Sequence, residues 1–158
     1  MLKKILSNST CAQCQLCCVF DRYDIWETPL FTPEQKAHVL EIAPEAEFAK
    51  KGSGFVLNCG AITNDQLFSC PALSDHGCTL GSDKPFDCQI WPFRIMNCDG
   101  ELVIAVSSLC TAVYEQSHDF LKSYLTESGL AERIFSYGEK FPEAVHPLYD
   151  NYTILLRQ

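Results

Sequence analysis

The sequence has few basic residues and no long apolar run. Lys and Arg number 12 against 20 Asp and Glu in 158 residues, which gives a formal net charge of −8. Nucleic acids and anionic membrane surfaces are bound mainly through basic patches, so we expect neither as a partner. No stretch approaches the roughly 20 apolar residues of a membrane-spanning helix, and the N-terminal segment lacks the apolar core of a secretory signal. These absences predict a cytoplasmic protein.

The common sequence signatures of catalysis are also missing. The sequence has no HExxH motif, no glycine-rich phosphate loop and no pattern of Ser, His and Asp typical of a nucleophile. Apolar residues make up 47% of the chain and charged residues 20%, which predicts a folded protein rather than a disordered one. Any chemistry is therefore expected from the residue type that the sequence has in excess.

That residue type is cysteine, with ten in the chain. A chain of this length can bury a core without disulfide bonds to support it, and disulfides are rare in a reducing cytoplasm. Four of the cysteines lie within residues 11–18, which predicts metal ligation. The predicted metal ligands are Cys11, Cys14, Cys17, Cys18, Cys70, Cys78, Cys88 and Cys110.

The first three of these cysteines are separated by two residues each, so a tight turn can bring their sulfurs to one centre. A run of three at this interval is typical of iron–sulfur ligation, whereas zinc more often uses separated pairs. In bacterial ferredoxins such a run is completed by a cysteine followed by proline, and Cys70-Pro71 has that form. An iron–sulfur cluster is therefore the preferred cofactor, and Zn²⁺ is the alternative.

Cys18 directly follows Cys17, and adjacent side chains point in different directions. We therefore expect Cys18 to reach a second centre or to bridge two metals. Eight thiols suffice for two centres with four ligands each. One partition places Cys11, Cys14, Cys17 and Cys70 around one centre, and Cys18, Cys78, Cys88 and Cys110 around the other. The candidate cations near these thiolates in sequence are Arg22, Lys84 and Arg94.

Several other residues have two interpretations. Cys59 and Cys98 fit small core residues, with metal ligation as the alternative. His76 fits a solvated loop residue, although it lies two positions before a predicted ligand. Trp91 and Phe93 fit either a shield over a cluster or ordinary packing.

The periodicity and turn signals predict an α+β fold, a small metal-stabilised single domain with short β-hairpins, C-terminal helices and cysteine-rich loops. Thr32, Pro33 and Gln35 form a helix start with a capping box, and the helix is expected to run to about residue 43. Pro44 ends it or begins a second short helix. Short strands are predicted at 55–57 and 66–68.

The clearest hairpin is predicted at residues 90–97 and 102–106, around an Asp99-Gly100 turn of type I′. Pro92 should delay the first strand or place it at a sheet edge. One helix is expected from about Val113 to Leu125, broken by Gly129, and another over 130–137 ended by Gly138. Residues 152–156 fit a final strand.

The run Cys11-x2-Cys14-x2-Cys17-Cys18 resembles the opening signature of the CxxCxxCC cysteine-cluster proteins, described as a zinc- or iron-chelating domain. Lys84 and Gln89 stand where that family usually has arginines. The resemblance covers about residues 11–115 and implies one metal-binding domain over 1–158, with a helical extension at 116–158. The matching second half of the signature is Cys70-Pro71-Ala72-Leu73, Cys78-Thr79-Leu80, Lys84-Pro85, Cys88-Gln89, Trp91-Pro92-Phe93 and Cys110.

These observations lead to three hypotheses of function. The first is a cytosolic iron–sulfur protein with a redox or electron-transfer role toward an unidentified protein or redox partner. The family is often labelled an iron–sulfur oxidoreductase, and a similar domain occurs in flagellin lysine methylases; an enzyme would need an open coordination position on the metal. The second hypothesis is a structural zinc-binding module that binds another protein. The third is a metal-handling protein without catalysis.

Overall fold

The structure is a computed structural model that describes residues 2, 4–60, 63 and 66–158. It contains short helices and small, mainly antiparallel sheets, which confirms the predicted α+β class. The chain divides into two compact units, Met1–Gln89 (unit 1) and Ile90–Gln158 (unit 2). None of the helices in the described residues combines the length and apolar composition needed to cross a membrane.

Unit 1 begins with α1 (Asn8–Cys14), which contains the first two cysteines. The Ser7 side chain caps this helix by accepting a hydrogen bond from the Thr10 backbone N–H at 3.1 Å. The helix ends at Gln15, whose φ of 55° is left-handed. A single 3₁₀ turn, Leu16–Cys18, then leads into β1 (Val19–Phe20).

The next helix, α2 (Pro33–Ile42), has the predicted start. Thr32 is the N-cap, and both hydrogen bonds of its capping box with Gln35 are present. The alternative of a second helix after Pro44 is wrong. That segment instead forms β2 (Phe48–Lys51), which pairs antiparallel with β3 (Gly54–Leu57). The Phe48 ring packs edge-on against the buried Phe31 ring, with 5.3 Å between the ring centroids. This tertiary contact favours the strand.

The rest of unit 1 consists of short strands around cysteine-bearing turns. β4 (Phe68–Ser69) pairs with β1, and β5 (Leu73–Ser74) pairs with β6 (Gly77–Cys78). α3 (Phe86–Ile90) lies at the end of the unit. A small apolar core supports these turns, formed by Phe31, Val39, Leu57, Ala72 and Leu80.

Unit 2 is built around a four-stranded sheet with the order β10-β8-β7-β9. Its central hairpin is β7 (Phe93–Cys98) and β8 (Glu101–Ser107), joined by the predicted Asp99-Gly100 turn. Both turn residues have positive φ, 54° and 92°, as a type I′ turn requires. β7 starts one residue after Pro92, so the proline delays the strand.

Three helices, α4 (Thr111–Tyr114), α5 (His118–Glu127) and α6 (Leu130–Lys140), precede β9 (His146–Pro147) and β10 (Tyr152–Arg157). Gly129 separates α5 from α6 with a φ of 69°, as predicted. The prediction that Gly138 ends a helix is wrong, because Gly138 lies within α6. A Cβ there would lie 2.6 Å from Cγ1 of Ile95, so this glycine allows the helix to approach β7.

Candidate functional site

The ten cysteines all lie in the described part of the chain, and none of them is in a disulfide. Cys98 and Cys110 belong to unit 2, where Cys110 is buried and is the N-cap residue of α4. The other eight belong to unit 1 and are referred to below as the thiol cluster. Its members are Cys11, Cys14, Cys17, Cys18, Cys59, Cys70, Cys78 and Cys88.

The first cysteine run lies against the hairpin that contains Cys78. The Gln15 side chain donates a hydrogen bond from Nε2 to the Ser74 carbonyl at 3.2 Å, across 59 positions of sequence. Gly77 faces Ala12 of α1 so closely that a Cβ on the glycine would lie 3.4 Å from the Ala12 Cβ. These contacts hold α1 against β5 and β6, which brings two distant cysteine-bearing segments together.

Backbone pairing also joins Cys18 to Cys70. The Cys70 N–H donates to the Cys18 carbonyl at 2.8 Å, which continues the pairing of β1 with β4 by one residue. This hydrogen bond thus joins two cysteines that are 52 positions apart in the sequence. The sequence showed both cysteines, but the strands that join them are two residues long and give almost no periodic signal.

The expectation that the Cys17 and Cys18 thiols diverge is wrong. Their Sγ atoms lie 3.9 Å apart within the 3₁₀ turn at Leu16–Cys18. Two thiolates on one tetrahedral zinc ion, each with a Zn–S bond of about 2.3 Å, are separated by roughly 3.8 Å. This pair therefore has a separation compatible with a single ion.

The neighbouring thiols shift the pKa of Cys18. A hydrogen bond with the Cys17 thiol, followed by burial, raises the pKa of Cys18 far above its usual value. Negative charge on Cys17, Cys88 and Cys70 raises this pKa further. The thiols that raise the pKa of Cys18 therefore come from both of the predicted four-ligand sets.

Cys70 connects a further part of the cluster. Burial raises the pKa of the Cys70 thiol to about 11, and a hydrogen bond from the Ala72 backbone N–H lowers it in part. Negative charge on Cys78 and then on Cys17 raises the pKa again. An N–H donor that stabilises a thiolate is a common feature of metal–sulfur sites.

Lys84, one of the three candidate cations, acts on the pKa of Cys11. Burial raises the pKa of Cys11, and the charges of Cys17 and Cys14 raise it further, while Lys84 lowers it. Lys84 therefore offsets part of the negative charge that ionised thiols would concentrate here. Arg22, another predicted cation, instead stacks its guanidinium over the Tyr23 ring, 4.3 Å from the ring centroid.

Cys88 lies on α3, whose position is fixed by the preceding residue. The Asp87 carboxylate is 3% exposed and accepts a hydrogen bond from the Leu30 backbone N–H at 2.9 Å. Because a buried carboxylate is costly without such partners, this bond holds the start of α3 to the chain at Leu30. The residues around Asp87 in the sequence give no signal of this role.

Cys59 is the one member of the thiol cluster that is not among the ligands predicted from the sequence. It is half-buried, and burial together with negative charge on Cys70 raises its pKa to about 11. The sequence gave only a weak signal, because a cysteine after an apolar strand commonly occupies a core position. Its closeness to Cys70 depends on tertiary packing.

The donor chemistry of the cluster suits soft thiophilic ions such as zinc and the irons of a sulfide cluster. In the described residues, however, no three Cys, His, Asp or Glu side chains are arranged as a closed metal-binding group. The eight thiols of unit 1 therefore do not form a complete coordination sphere. The ligand assignment, Cys110 included, stays a prediction.

The secondary candidates have simpler surroundings. His76 is exposed in the turn between β5 and β6, where its backbone N–H donates to Oγ of Ser74 at 3.3 Å. Phe93 is completely buried, which agrees with core packing. Cys98 ends β7 beside the Asp99-Gly100 turn and belongs to unit 2.

Comparison of the chain with protein-family models, with curated proteins and with solved structures finds no match. The resemblance to the CxxCxxCC proteins therefore depends on the spacing of the cysteines and the residues beside them, and it stays a prediction.

Proposed function

We propose that this protein binds metal through the thiol cluster of unit 1, in the form of one or more iron–sulfur clusters, and transfers electrons to or from a protein partner. The main support is the presence of eight cysteines in unit 1, none of them in a disulfide, together with the 3.9 Å separation of the Cys17 and Cys18 thiols and the hydrogen bond that joins Cys70 to Cys18. Packing alone does not require thiols to be neighbours. Thiols that share a region but form no disulfide are typical of metal ligands in a reducing compartment, which here would be the cytoplasm.

The preference for iron–sulfur chemistry comes from the repeated two-residue spacing of Cys11, Cys14 and Cys17 and from the Cys70-Pro71 pair. When bound, such a cluster would supply a one-electron redox centre. The protein would supply thiolate ligands, the Ala72 N–H donor at Cys70 and the positive charge of Lys84 near Cys11. Hydrogen bonds and charges of this kind tune the reduction potential of a cluster.

A second candidate is a zinc-binding module that interacts with another protein. The 3.9 Å separation of the Cys17 and Cys18 thiols favours it, because this distance matches two ligands on one tetrahedral ion. In that case the metal would stabilise the turns of unit 1, whose strands β1, β4, β5 and β6 are only two residues long.

Anaerobic purification followed by elemental analysis and an optical spectrum distinguishes the two candidates. Iron with a broad absorption near about 400 nm, bleached by a reductant, supports the first. Colourless protein with stoichiometric zinc supports the second.

The ligand assignment is tested with a matched pair of variants. Cys14→Ser is expected to lower the metal content, and Cys98→Ser, in the other unit, is expected to leave it unchanged. If the two variants retain the same metal as the unsubstituted protein, the thiol cluster is not the metal site and both candidate functions fail.

A further inference from the structure

Two lysines of unit 1 share one aromatic ring. The Nζ of Lys36, on α2, lies 4.2 Å from the centroid of Phe55, and the Nζ of Lys50, on β2, lies 4.6 Å from the same centroid. Lys50 is the direct cross-strand partner of Phe55 on β3, whereas Lys36 reaches the ring from the helix. Lys36 also lies 5.7 Å from the Phe48 centroid. Attraction between the ammonium charges and the ring holds both side chains at this place.

These two ammonium groups have no carboxylate beside them. Residues 48–57, which form the β2–β3 hairpin, contain no Asp or Glu. The acids of α2, Glu34 and Glu41, lie two and five positions from Lys36, outside the three- and four-residue spacings at which helix side chains meet. Within the described ranges, neither lysine is in an ion pair. The site is therefore a local concentration of positive charge in a protein with a net charge of −8.

The hydrogen-bond donors of the pair are largely unused by the protein. An ammonium group has three N–H donors. Lys50 donates to the Ser53 carbonyl at 3.3 Å, and in the described part of the chain Lys36 donates no hydrogen bond to a protein acceptor. The two ammonium groups lie at most about twice the longer ring distance apart, inside the roughly 10 Å over which charges act on each other at 0.1 M salt. An anion that accepts from both would offset their repulsion.

We infer that Lys36 and Lys50 form a binding site for a phosphoryl group. A phosphate monoester carries about two negative charges at neutral pH, which matches two ammonium groups, whereas a carboxylate carries one. Lysine binds phosphate as a point charge, and rotation of its flexible side chain lets N–H groups of both lysines reach oxygens of one tetrahedral anion. Because the Phe55 ring already gathers both lysines, less conformational freedom is lost on binding than for two independent surface lysines. The inference does not depend on metal at the thiol cluster.

The test follows the acetylation of individual lysines in the full-length protein by an N-hydroxysuccinimide ester, read by mass spectrometry. Inorganic phosphate is the first probe, and NaCl of equal ionic strength is its control. Lys140 is the internal control, because it places a single ammonium group over a single ring, 5.2 Å from the Phe141 centroid. An N-acetylated phosphoserine peptide and its unphosphorylated counterpart are then compared with phosphate.

We expect phosphate to slow the acetylation of Lys36 and Lys50 saturably, with half of the effect at roughly 1–10 mM, and to leave Lys140 unchanged. Lys36→Met should weaken the protection of Lys50 about tenfold, because one of two charge-assisted contacts is lost. Lys50→Met, read at Lys36, is the reciprocal variant. Lys36→Arg keeps the charge and should retain the protection of Lys50, and thermal unfolding checks that each variant is folded.

The inference is overturned if NaCl protects the two lysines as well as phosphate does, or if Lys140 is protected equally. It is also overturned if the protection of Lys50 is unchanged in Lys36→Met, since the two lysines would then be independent solvated side chains that cover Phe55. Protection by the phosphoserine peptide at lower concentration than by phosphate would identify a phosphorylated polypeptide as the source of the group. Equal protection would identify a free phosphate, and equal protection by the unphosphorylated peptide would refute a phosphoryl site.

Discussion

Gly77 offers a sharp test of how the thiol cluster is assembled. Its φ is +97°, a backbone conformation that residues with a Cβ rarely adopt, and it lies directly before Cys78. A Cβ at Gly77 would face Ala12 of α1, which lies between Cys11 and Cys14 in the sequence of that helix. Substitution by alanine therefore perturbs both the turn and the contact between α1 and the β5–β6 hairpin.

The magnitude follows from two opposing terms. Forcing an alanine into such a region costs about 1–3 kcal/mol. The lower conformational entropy of the unfolded chain returns about 0.4–1 kcal/mol. The new Cβ would lie 3.4 Å from the Ala12 Cβ, an ordinary van der Waals distance that adds little to the cost. We expect Gly77→Ala to lower the free energy of unfolding by about 1–2 kcal/mol.

Gly100 provides a matched control. Its φ of +92° is nearly the same, but a Cβ there would have no neighbour within 4 Å, and it lies in the β7–β8 turn of unit 2. Gly100→Ala should therefore carry a similar backbone cost without touching the cysteine-bearing segments. Urea denaturation measures the two losses of stability, and transfer of bound zinc to a chelator measures the integrity of the site.

The expected result is a similar loss of stability in both variants, with faster zinc transfer only in Gly77→Ala. The reasoning is refuted if zinc transfer is equally fast in both variants or unchanged in both. Equal acceleration would mean that metal retention follows general stability. No acceleration would mean that the contact of α1 with the hairpin does not position the ligands.

Two further predictions concern packing and tethering. Gly138→Ala should lower the free energy of unfolding, measured by urea denaturation, by about 1–2 kcal/mol. Alanine has the better helix propensity, but its Cβ would lie 2.6 Å from Cγ1 of Ile95. A gain in stability would show that α6 can move away from β7. Gln15→Asn introduces asparagine, which tolerates the left-handed backbone found at this position. It shortens the side chain that donates to the Ser74 carbonyl. It should cost about 0.5–1.5 kcal/mol and speed zinc transfer, and unchanged values of both would argue against this tether.

Local sequence signals were sufficient to predict part of the fold. The capping box at Thr32, the Asp99-Gly100 turn and the break at Gly129 all occur where predicted. Each depends on a few consecutive residues whose side chains or φ values select one backbone conformation. Such signals do not need information from distant parts of the chain.

Other features could not be predicted because their causes lie far away in sequence. Gly138 has the composition signal of a helix end, but contact with Ile95 gives it a role inside α6. Residues 48–51 form a strand because Phe48 packs on Phe31 and pairs with β3. In both cases tertiary contacts outweigh local propensity.

For the candidate site, the sequence by itself determined the supply of thiols and their close spacing at residues 11–18, since covalent order fixes which sulfurs a short turn can gather. Only the tertiary structure decided which distant cysteines join them. The hydrogen bond of Cys70 to Cys18, the contact of Gly77 with Ala12 and the shared packing of Cys59 and Cys70 all bridge many residues. Such long-range contacts come from the burial of a common apolar core, and no local pattern in the chain encodes them.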